Sequence, residues 1–339
     1  MPNQTVTLSF EDLSDLVKRI LIKANVGKDT AKLIADNCVS CEADGTLSHG
    51  LFRVAGYLSS LKCGWVSGNA NPKIEDCGAS FIRVDADNGF AQVSLDKAKP
   101  LVLQKVKESG VCVLSIASSH HLSALWPDVE PFAREGLVAL SFVAGLAVVV
   151  HPGGRKTIYG TNPFAFATPV ANSDPLVFDF ATSALSNGDT RIAASKGHML
   201  ADNSGIDSNG NSTNDPKAIL DGGALLPFGG HKGAAIILMV EILAGALTGG
   251  AFSTEVDFKD YQGAETPKTG QLFIIIDPQR GNGRVFSKRV KELLDLIRES
   301  GENVRLPGDK RYQQRQKALR EGITITKSRY DELLSYLQD

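Results

Sequence analysis

The spacing of apolar residues predicts three helices at the start of the chain. Apolar positions within residues 13–21 recur one helical turn apart, behind a Ser9 and Asp12 pair typical of a capping box. A second helix is predicted from about residue 29 to 45, and a third from about residue 50 to 64, each followed by or ending at a glycine. The beginning of the chain is therefore predicted to be helical.

The middle of the chain changes to short runs rich in β-branched and aromatic residues, separated by helical stretches. Five such runs predict strands at 81–85, 111–117, 137–144, 176–180 and 272–277. This alternation predicts a mixed α/β domain. The end of the chain is predicted to be helical again, with an amphipathic helix at 285–300 and a short final helix capped by Ser328 with Asp331.

One apolar run, residues 234–248, carries a single charge at Glu241 and predicts a helix buried on nearly every side. It is too short to span a membrane, which takes roughly 20 apolar residues. The glycine-rich residues 229–233 precede it, and His231 and Lys232 would stand at its positive end, which predicts an anion site. The alternative is that these glycines only allow close packing, with both side chains solvated.

Composition excludes several classes of protein. With 339 residues, 42% of them hydrophobic, the chain can bury a large core and form about two domains. A net charge of -2 provides no global field for nucleic acid or an anionic membrane. The first residues lack the basic segment and following apolar run of a secretory signal peptide. Five cysteines, an odd number, do not make a disulfide framework, so a cytoplasmic location is expected. Cys38 and Cys41 are predicted to be core residues rather than zinc ligands.

Three polar clusters are candidates for chemistry. Ser48 and His49 precede the third predicted helix, where Arg53 would lie one turn onward on the same face; a helix cap and a solvated arginine are the alternatives. His120 and His121 follow a predicted strand, where ligand-binding loops are common, and zinc is the weaker interpretation. A basic turn, 304–311, provides a second local anion site. No G-x-G-x-x-G follows a predicted strand, so a Rossmann fold is not supported.

Five motifs together carry a family resemblance. They are Ser48-His49-Gly50, the histidine pair before Ser123-Ala-Leu-Trp-Pro-Asp128, Gly160-Thr-Asn-Pro163, Asp179-Phe-Ala-Thr-Ser183 and Leu226-Pro-Phe-Gly-Gly-His-Lys-Gly233. In this combination, over nearly the whole chain, the sequence resembles the malate/L-lactate dehydrogenase-like oxidoreductase family. Within it, the chain is most similar to the branch that reduces cyclic ketimines, the Δ1-piperideine-2-carboxylate/Δ1-pyrroline-2-carboxylate reductases.

The resemblance implies an architecture and a reaction. A non-Rossmann nicotinamide-binding α/β domain with a mixed sheet, residues 75–302, would be inserted into a mainly helical domain formed by 1–74 and 303–339. A homodimer, a cyclic imino acid substrate and NADPH as cofactor are implied, with NADH as the alternative cofactor; no nucleic acid, membrane or metal is expected.

The resemblance also implies roles for individual residues. His49 resembles the proton donor, with Ser48 and Asp189 as its polar partners. Substrate contacts are implied for Arg53, Thr161, Asn187 and Gly188. Cofactor contacts are implied for His121, Leu122, Ser123, Ala124, Leu125, Asp179, Phe180, Ala181, His231, Lys232, Val304, Arg305, Leu306, Pro307, Gly308, Asp309 and Lys310.

Two departures from the family pattern affect these expectations. Dehydrogenases of 2-keto and 2-hydroxy acids tend to have Gly-Lys where this chain has Gly188-Asp189. A carboxylate there favours a protonated C=N group over a carbonyl. Where this chain has Leu122-Ser123, relatives more often have an aromatic residue and a small one. This second difference affects the details expected of the cofactor pocket. The alternatives are an NAD-dependent malate- or lactate-type dehydrogenase, a metal-dependent hydrolase that uses the histidine pair with a cysteine, and a nucleotide-binding regulator.

Overall fold

The chain begins with a strand and three helices in the computed structural model, which describes residues 4–282 and 285–338. They are β1 (Thr5–Leu8), α1 (Phe10–Lys23), α2 (Lys28–Ala43) and α3 (Val54–Lys62). Ser9 caps α1, because its hydroxyl accepts a hydrogen bond of 3.0 Å from the backbone N–H of Asp12. The apolar faces of the three helices meet in one buried core, which confirms the helices predicted from apolar spacing.

The third helix starts later than predicted. Two 3-10 turns, Leu47–His49 and Leu51–Arg53, precede α3, and Gly50 separates them with a backbone (φ -90°, ψ -134°) that no helix contains. Gly50 lies against α2, where any larger side chain would collide with Glu42. The predicted helical turn from His49 to Arg53 is therefore wrong, since close packing on α2 breaks it.

The middle of the chain provides the remaining sheets. In order it forms β2 (Lys73–Asp76), β3 (Phe81–Asp85), α4 (Ala91–Ser109), β4 (Val111–His120), α5 (Trp126–Arg134), β5 (Val138–Val143), β6 (Val149–Val150), β7 (Thr157–Tyr159), β8 (Phe164–Thr168), β9 (Leu176–Phe180), α6 (Asn187–Lys196), β10 (Gly205–Ile206), β11 (Ser212–Thr213), α7 (Pro216–Leu220), β12 (Ala224–Leu225), α8 (His231–Glu241), β13 (Lys268–Ile276), α9 (Gln279–Asn282) and α10 (Phe286–Glu299). All five predicted strands are present.

A seven-stranded sheet, ordered β2-β3-β4-β13-β5-β8-β9, forms the centre of this region. Among its described strands only β3 and β4 run parallel. Side chains of β13 alternate between the two faces: Phe273 and Ile275 pack in the core with α4 and α5, and Leu272 packs with α8. A five-stranded sheet, ordered β11-β10-β12-β6-β7, lies beside it. The predicted mixed α/β class is confirmed.

The helix α8 differs from its prediction in burial. It continues through a π-helical segment, Ile242–Ala246, and only one side of it is buried. On the other side four large apolar side chains are exposed by 41% to 50%: Leu238, Met239, Ile242 and Leu247. The expectation of burial on nearly every side is wrong for the single chain, since a run of apolar residues has no periodicity to reveal its outer face.

The two ends of the chain meet. After α10 come α11 (Asp309–Glu321), β14 (Ile323–Thr326) and α12 (Lys327–Ser335), and β14 pairs antiparallel with β1. Thr326, rather than the predicted Ser328 and Asp331, caps α12 by accepting from the N–H of Arg329. The two-domain division stays a prediction, and its outer limits at residues 1 and 339 lie outside the described residues.

Cys38 and Cys41 are fully buried in α2, as predicted for core residues. Burial raises the pKa of the Cys38 thiol to about 12, so this thiol is protonated at neutral pH. Over the described ranges, no helix combines the length and apolarity needed to cross a membrane.

Candidate active site

Two adjoining cavities meet at His49. The larger, of about 630 Å³, is here named the wide cleft and is lined by residues that include Ser48, Asp179 and Phe180. The smaller, of about 270 Å³, is named the inner cavity and is lined by residues that include Arg53. Five residues line both: His49, Ser123, Thr161, Pro163 and Ser186. A ligand in the wide cleft can therefore contact one in the inner cavity beside His49.

The imidazole of His49 is oriented by its chain neighbour. Its Nδ1 lies 3.0 Å from the hydroxyl oxygen of buried Ser48. Burial is the main cause that lowers the pKa of His49 to about 3, and the nearby Arg53 and His121 contribute to this value. The ring is therefore neutral at neutral pH, and its pKa lies well below the ordinary histidine value of about 6.5.

Arg53 reaches the inner cavity despite the broken helix. Its Nε atom is buried and has no hydrogen-bond partner among the residues that the structure describes. Burial lowers the pKa of this guanidinium, and nearby Tyr57, Glu265 and Asp189 oppose that effect. A buried N–H without a partner costs free energy, so this position favours an anionic acceptor.

Asn187 and Gly188 begin α6 beside Arg53. Asn187 lines the inner cavity. A Cβ atom at Gly188 would lie only 2.8 Å from Nη2 of Arg53 and 3.4 Å from Cβ of Ser48. A side chain at position 188 would press on the end of the Arg53 side chain, because α6 approaches both residues so closely.

Asp189 lies nearby but has a different partner from the one expected. Its carboxylate accepts a hydrogen bond of 2.8 Å from the hydroxyl of Ser186, whose oxygen accepts the N–H of Asp189 at 3.0 Å. This reciprocal pair caps α6. Among the described residues no hydrogen bond joins Asp189 to Ser48 or His49. Its role as a partner of His49 stays a prediction.

Thr161 is held by a buried polar network. Its carbonyl accepts the N–H of Thr182 at 2.9 Å, and the next side chain, Asn162, donates to Glu241 at 2.5 Å. Ser253 also donates to Glu241, at 2.8 Å. The single charge of the apolar run therefore fixes the loop that presents Thr161 to both cavities.

Two of the predicted cofactor segments are brought together. The carboxylate of Asp179 accepts the N–H groups of Leu125 (2.6 Å) and Trp126 (3.1 Å). Desolvation raises the pKa of Asp179 to about 6, although these N–H groups oppose it. Ser123, Ala124, Phe180 and Ala181 line the wide cleft, and His121 and Leu122 line the inner cavity. The ends of β4 and β9 thus form adjacent walls.

The other two predicted cofactor segments lie outside both cavities. His231 and Lys232 are exposed at the start of α8. They follow Phe228 by three and four residues, and the ring centroid of Phe228 lies 6.0 Å from that of Phe180, which lines the wide cleft. Residues 304–310 run beside β9, where Arg311 donates to the carbonyl of Val177 at 3.1 Å. Arg305 is exposed. Cofactor contacts by these segments stay predictions.

The histidine pair divides into two environments. His120 is fully buried, with its nitrogens 3.0 Å from the Thr266 hydroxyl and 3.1 Å from the Asn88 side chain, and burial lowers its pKa to about 3. His121 contacts Asp128 at 3.1 Å. Within residues 4–282 and 285–338 no group of three or more His, Cys, Asp or Glu side chains is arranged to hold a metal ion.

Several lining residues were not anticipated from the sequence. Trp126 lines the wide cleft, with Arg311 4.6 Å above its ring. Arg191 and Glu265 line the inner cavity and form an ion pair at 3.4 Å. Arg191 is in a helix and Glu265 is in a loop without apolar periodicity, so no local pattern distinguishes them from solvated charges.

Comparison with known proteins covers nearly the whole chain. The family model described as malate/L-lactate dehydrogenase matches residues 8–334. The Delta(1)-pyrroline-2-carboxylate/Delta(1)-piperideine-2-carboxylate reductase of Pseudomonas syringae pv. tomato is 51% identical, over 97% of this chain and 96% of its own. The protein of that name from Pseudomonas putida is 49% identical, over 98% and 97%. The crystal structure of delta1-piperideine-2-carboxylate reductase from Pseudomonas syringae superposes with a TM-score of 0.95 at 50% identity, over 98% of this chain and 99% of that one.

Proposed function

The chain belongs to the malate/L-lactate dehydrogenase family, and from that premise we propose that it reduces cyclic ketimines that carry a carboxylate on the imine carbon. The products are L-pipecolate from Δ1-piperideine-2-carboxylate and L-proline from Δ1-pyrroline-2-carboxylate. The observation that carries this proposal is Arg53, whose buried Nε has no hydrogen-bond partner among the described residues and which lines a small cavity that adjoins the wide cleft at His49.

The wide cleft fits a nicotinamide dinucleotide. Its volume of about 630 Å³ suits a ligand of that size, and the ring of Phe180 is 42% exposed at its wall, where it offers a face for stacking. When bound there, the reduced nicotinamide supplies the hydride. NADPH is the proposed form. Lys232, Arg305 and Arg311 are the proposed phosphate ligands, supported by their positive charge and by an Nη1 atom of Arg311 that is buried and has no partner within the described ranges.

Arg53 is proposed to bind the substrate carboxylate. The paired charges would hold the imine carbon toward His49 and the wide cleft, since His49 lines both spaces. The bound anion also offsets the positive charge of Arg53, one of the causes that lower the pKa of His49. The imidazole then takes up a proton more readily when substrate is bound, and it can supply or retain the proton at the ring nitrogen.

A homodimer is proposed together with this activity. The exposed apolar side of α8, formed by Leu238, Met239, Ile242 and Leu247, supports it, since a cluster of large exposed apolar residues is typical of a protein interface. A cytoplasmic location is also proposed, supported by five free cysteines.

A side-by-side assay tests the proposed function. The purified chain is offered the two cyclic imines, pyruvate and oxaloacetate, with NADPH and NADH in turn, and loss of nicotinamide absorbance is followed. Both imines are expected to react, because ring sizes that differ by one methylene change binding by only about 1 to 3 kcal/mol. Turnover confined to the keto acids would establish the 2-hydroxy acid dehydrogenase instead.

A further inference from the structure

The inner cavity contains a carboxylate that neither the motifs nor the proposed mechanism uses. Glu265 lines this cavity with Arg53 and Arg191. Its Oε2 lies 3.4 Å from Nη1 of Arg191, which is long for a charged pair, and both side chains remain more than 40% exposed. The carboxylate therefore retains the capacity to accept further hydrogen bonds.

The backbone at Glu265 is firmly held. The hydroxyl oxygen of Ser60, which is completely buried in α3, accepts the N–H groups of Glu265 at 2.9 Å and Thr266 at 3.1 Å. The indole of Trp65 donates to the carbonyl of Thr266 at 2.6 Å. Because Arg53 directly precedes α3, this anchoring holds the backbone of Glu265 in a fixed position relative to the helix that follows Arg53.

Asp189, the carboxylate expected to favour an imine, is less suitable for direct contact. It lines the wide cleft rather than the inner cavity, and the Ser186 hydroxyl already occupies one of its oxygens. Glu265 is therefore the carboxylate that shares a cavity with Arg53.

We infer that Glu265 determines specificity for cyclic imines, by accepting a hydrogen bond from the protonated ring nitrogen while Arg53 binds the substrate carboxylate. This inference rests on the proposed function. The proposed substrate carries a negative carboxylate and, when its imine is protonated, a positive ring nitrogen. The carboxylate matches Arg53, and the ring nitrogen matches Glu265. A 2-keto acid offers a carbonyl oxygen instead, and two acceptors facing each other repel.

The hydrogen bond is compatible with the bond changes of the reaction. As hydride from the reduced nicotinamide adds to the imine carbon, the π electron pair of C=N moves to nitrogen and neutralises its charge. The N–H proton, which His49 supplies or retains in the proposed function, stays on nitrogen during hydride transfer, and Glu265 remains a carboxylate throughout. Its contribution is to favour the cationic, more electrophilic form of the substrate.

The test compares Glu265→Gln with wild type on Δ1-piperideine-2-carboxylate and on pyruvate. Loss of a charged hydrogen bond should lower kcat/KM for the imine about 10- to 100-fold, while kcat/KM for pyruvate stays level or rises. Glu265→Asp, which keeps the charge, should retain part of the preference. Glu11→Gln, an exposed glutamate of α1, is the matched control and should change neither value.

A second variant distinguishes direct contact between Glu265 and the substrate from a structural role in which Glu265 only positions Arg191. If Glu265 only positions Arg191, then Arg191→Gln would shift the imine-to-pyruvate ratio as much as Glu265→Gln does, and that result would overturn the inference. An unchanged ratio in Glu265→Gln, with NADPH affinity and thermal unfolding like those of wild type, would overturn it as well. Wild type without imine reduction would refute the proposed function itself, whereas imine reduction with an unchanged ratio refutes only the role of Glu265.

Discussion

At the scale of single residues, the site depends on one unpaired cation and one neutral imidazole. The buried Nε of Arg53 has no hydrogen-bond partner, and Ser48 engages one nitrogen of His49. The proposed substrate provides a partner for each group. Its carboxylate is the anion that would bind the guanidinium of Arg53, and its ring nitrogen would face the imidazole of His49. Substitution of either residue should therefore affect a different kinetic quantity.

Arg53→Lys should raise KM for the cyclic imine about tenfold, because lysine keeps the charge but loses the planar pair of N–H donors. Arg53→Ala should raise it further, and NADPH affinity should remain close to wild type in both. Steady-state kinetics and a cofactor titration measure these effects, with Arg320→Lys in exposed α11 as the control. Normal substrate affinity in Arg53→Ala would assign the arginine to structure alone.

His49→Ala should lower kcat at least about 100-fold with the imine, the typical loss for a general acid. Asp189→Asn should lower it less, because its carboxylate bonds Ser186 rather than His49. Since no described hydrogen bond joins the two residues, their effects should multiply in the double variant. A double variant no slower than His49→Ala would show instead that the two act as one unit.

At the scale of elements, a buried ion network joins the segments that carry the site. Arg315 of α11 donates to Asp44, at the end of α2, at 2.6 and 2.7 Å and to Glu130 of α5 at 2.6 Å. Asp44 is fully buried, and the Ser48-His49 loop follows it by four residues. The network thus connects the Ser48-His49 loop to α5, the helix that follows the proposed cofactor segment 121–125.

Arg315→Met should destabilise the chain by about 3 kcal/mol, because it leaves Asp44 buried without its cation, whereas Glu130 keeps its ion pair with Arg134. Chemical denaturation measures this loss. Arg320→Met, in an exposed position of the same helix, is the control and should cost less than about 0.5 kcal/mol. Equal stability of the two variants would mean that the network is not needed for the fold.

The sequence predicted many of the helices and strands, but it could not predict features that depend on packing between them. Apolar spacing found α1 and α2, and runs rich in β-branched and aromatic residues found the five predicted strands, but neither pattern found strands such as β1, β8 and β14. Apolar spacing could not anticipate the break at Gly50, which depends on contact with Glu42 of another helix. Motifs identified Ser48, His49 and Thr161 as candidate site residues. Glu265 belongs to no motif and lies in a loop about 210 residues beyond Arg53 along the chain, so the sequence did not indicate it.

At the scale of the whole molecule, the exposed side of α8 is an apolar surface that a single chain leaves uncovered, as is the side of α10 that carries Leu293 and Leu296. Four large apolar residues of α8 face solvent, on the side of the helix opposite the seven-stranded sheet. Burying them in an isologous contact between two copies would remove this apolar surface from water. The dimer expected from the family resemblance then has a definite location.

Ile242→Glu should convert the protein to a monomer, because it places a charge in the middle of this surface. Light scattering should give twice the 36.2 kDa of one chain for wild type and 36.2 kDa for the variant. Leu319→Glu provides the control, since Leu319 is 70% exposed on α11 and should leave the dimer intact. A dimeric Ile242→Glu variant would place the interface elsewhere.

The central claim is that hydride passes from a nicotinamide in the wide cleft to the imine carbon of a substrate in the inner cavity. It is tested most directly with NADPH that carries deuterium at both positions of its reactive carbon. Incubated with Δ1-piperideine-2-carboxylate, the enzyme should yield pipecolate with one deuterium on the carbon that bears the carboxylate, seen by mass spectrometry and proton NMR. Unlabelled pipecolate, or no pipecolate while pyruvate becomes labelled lactate, would contradict it.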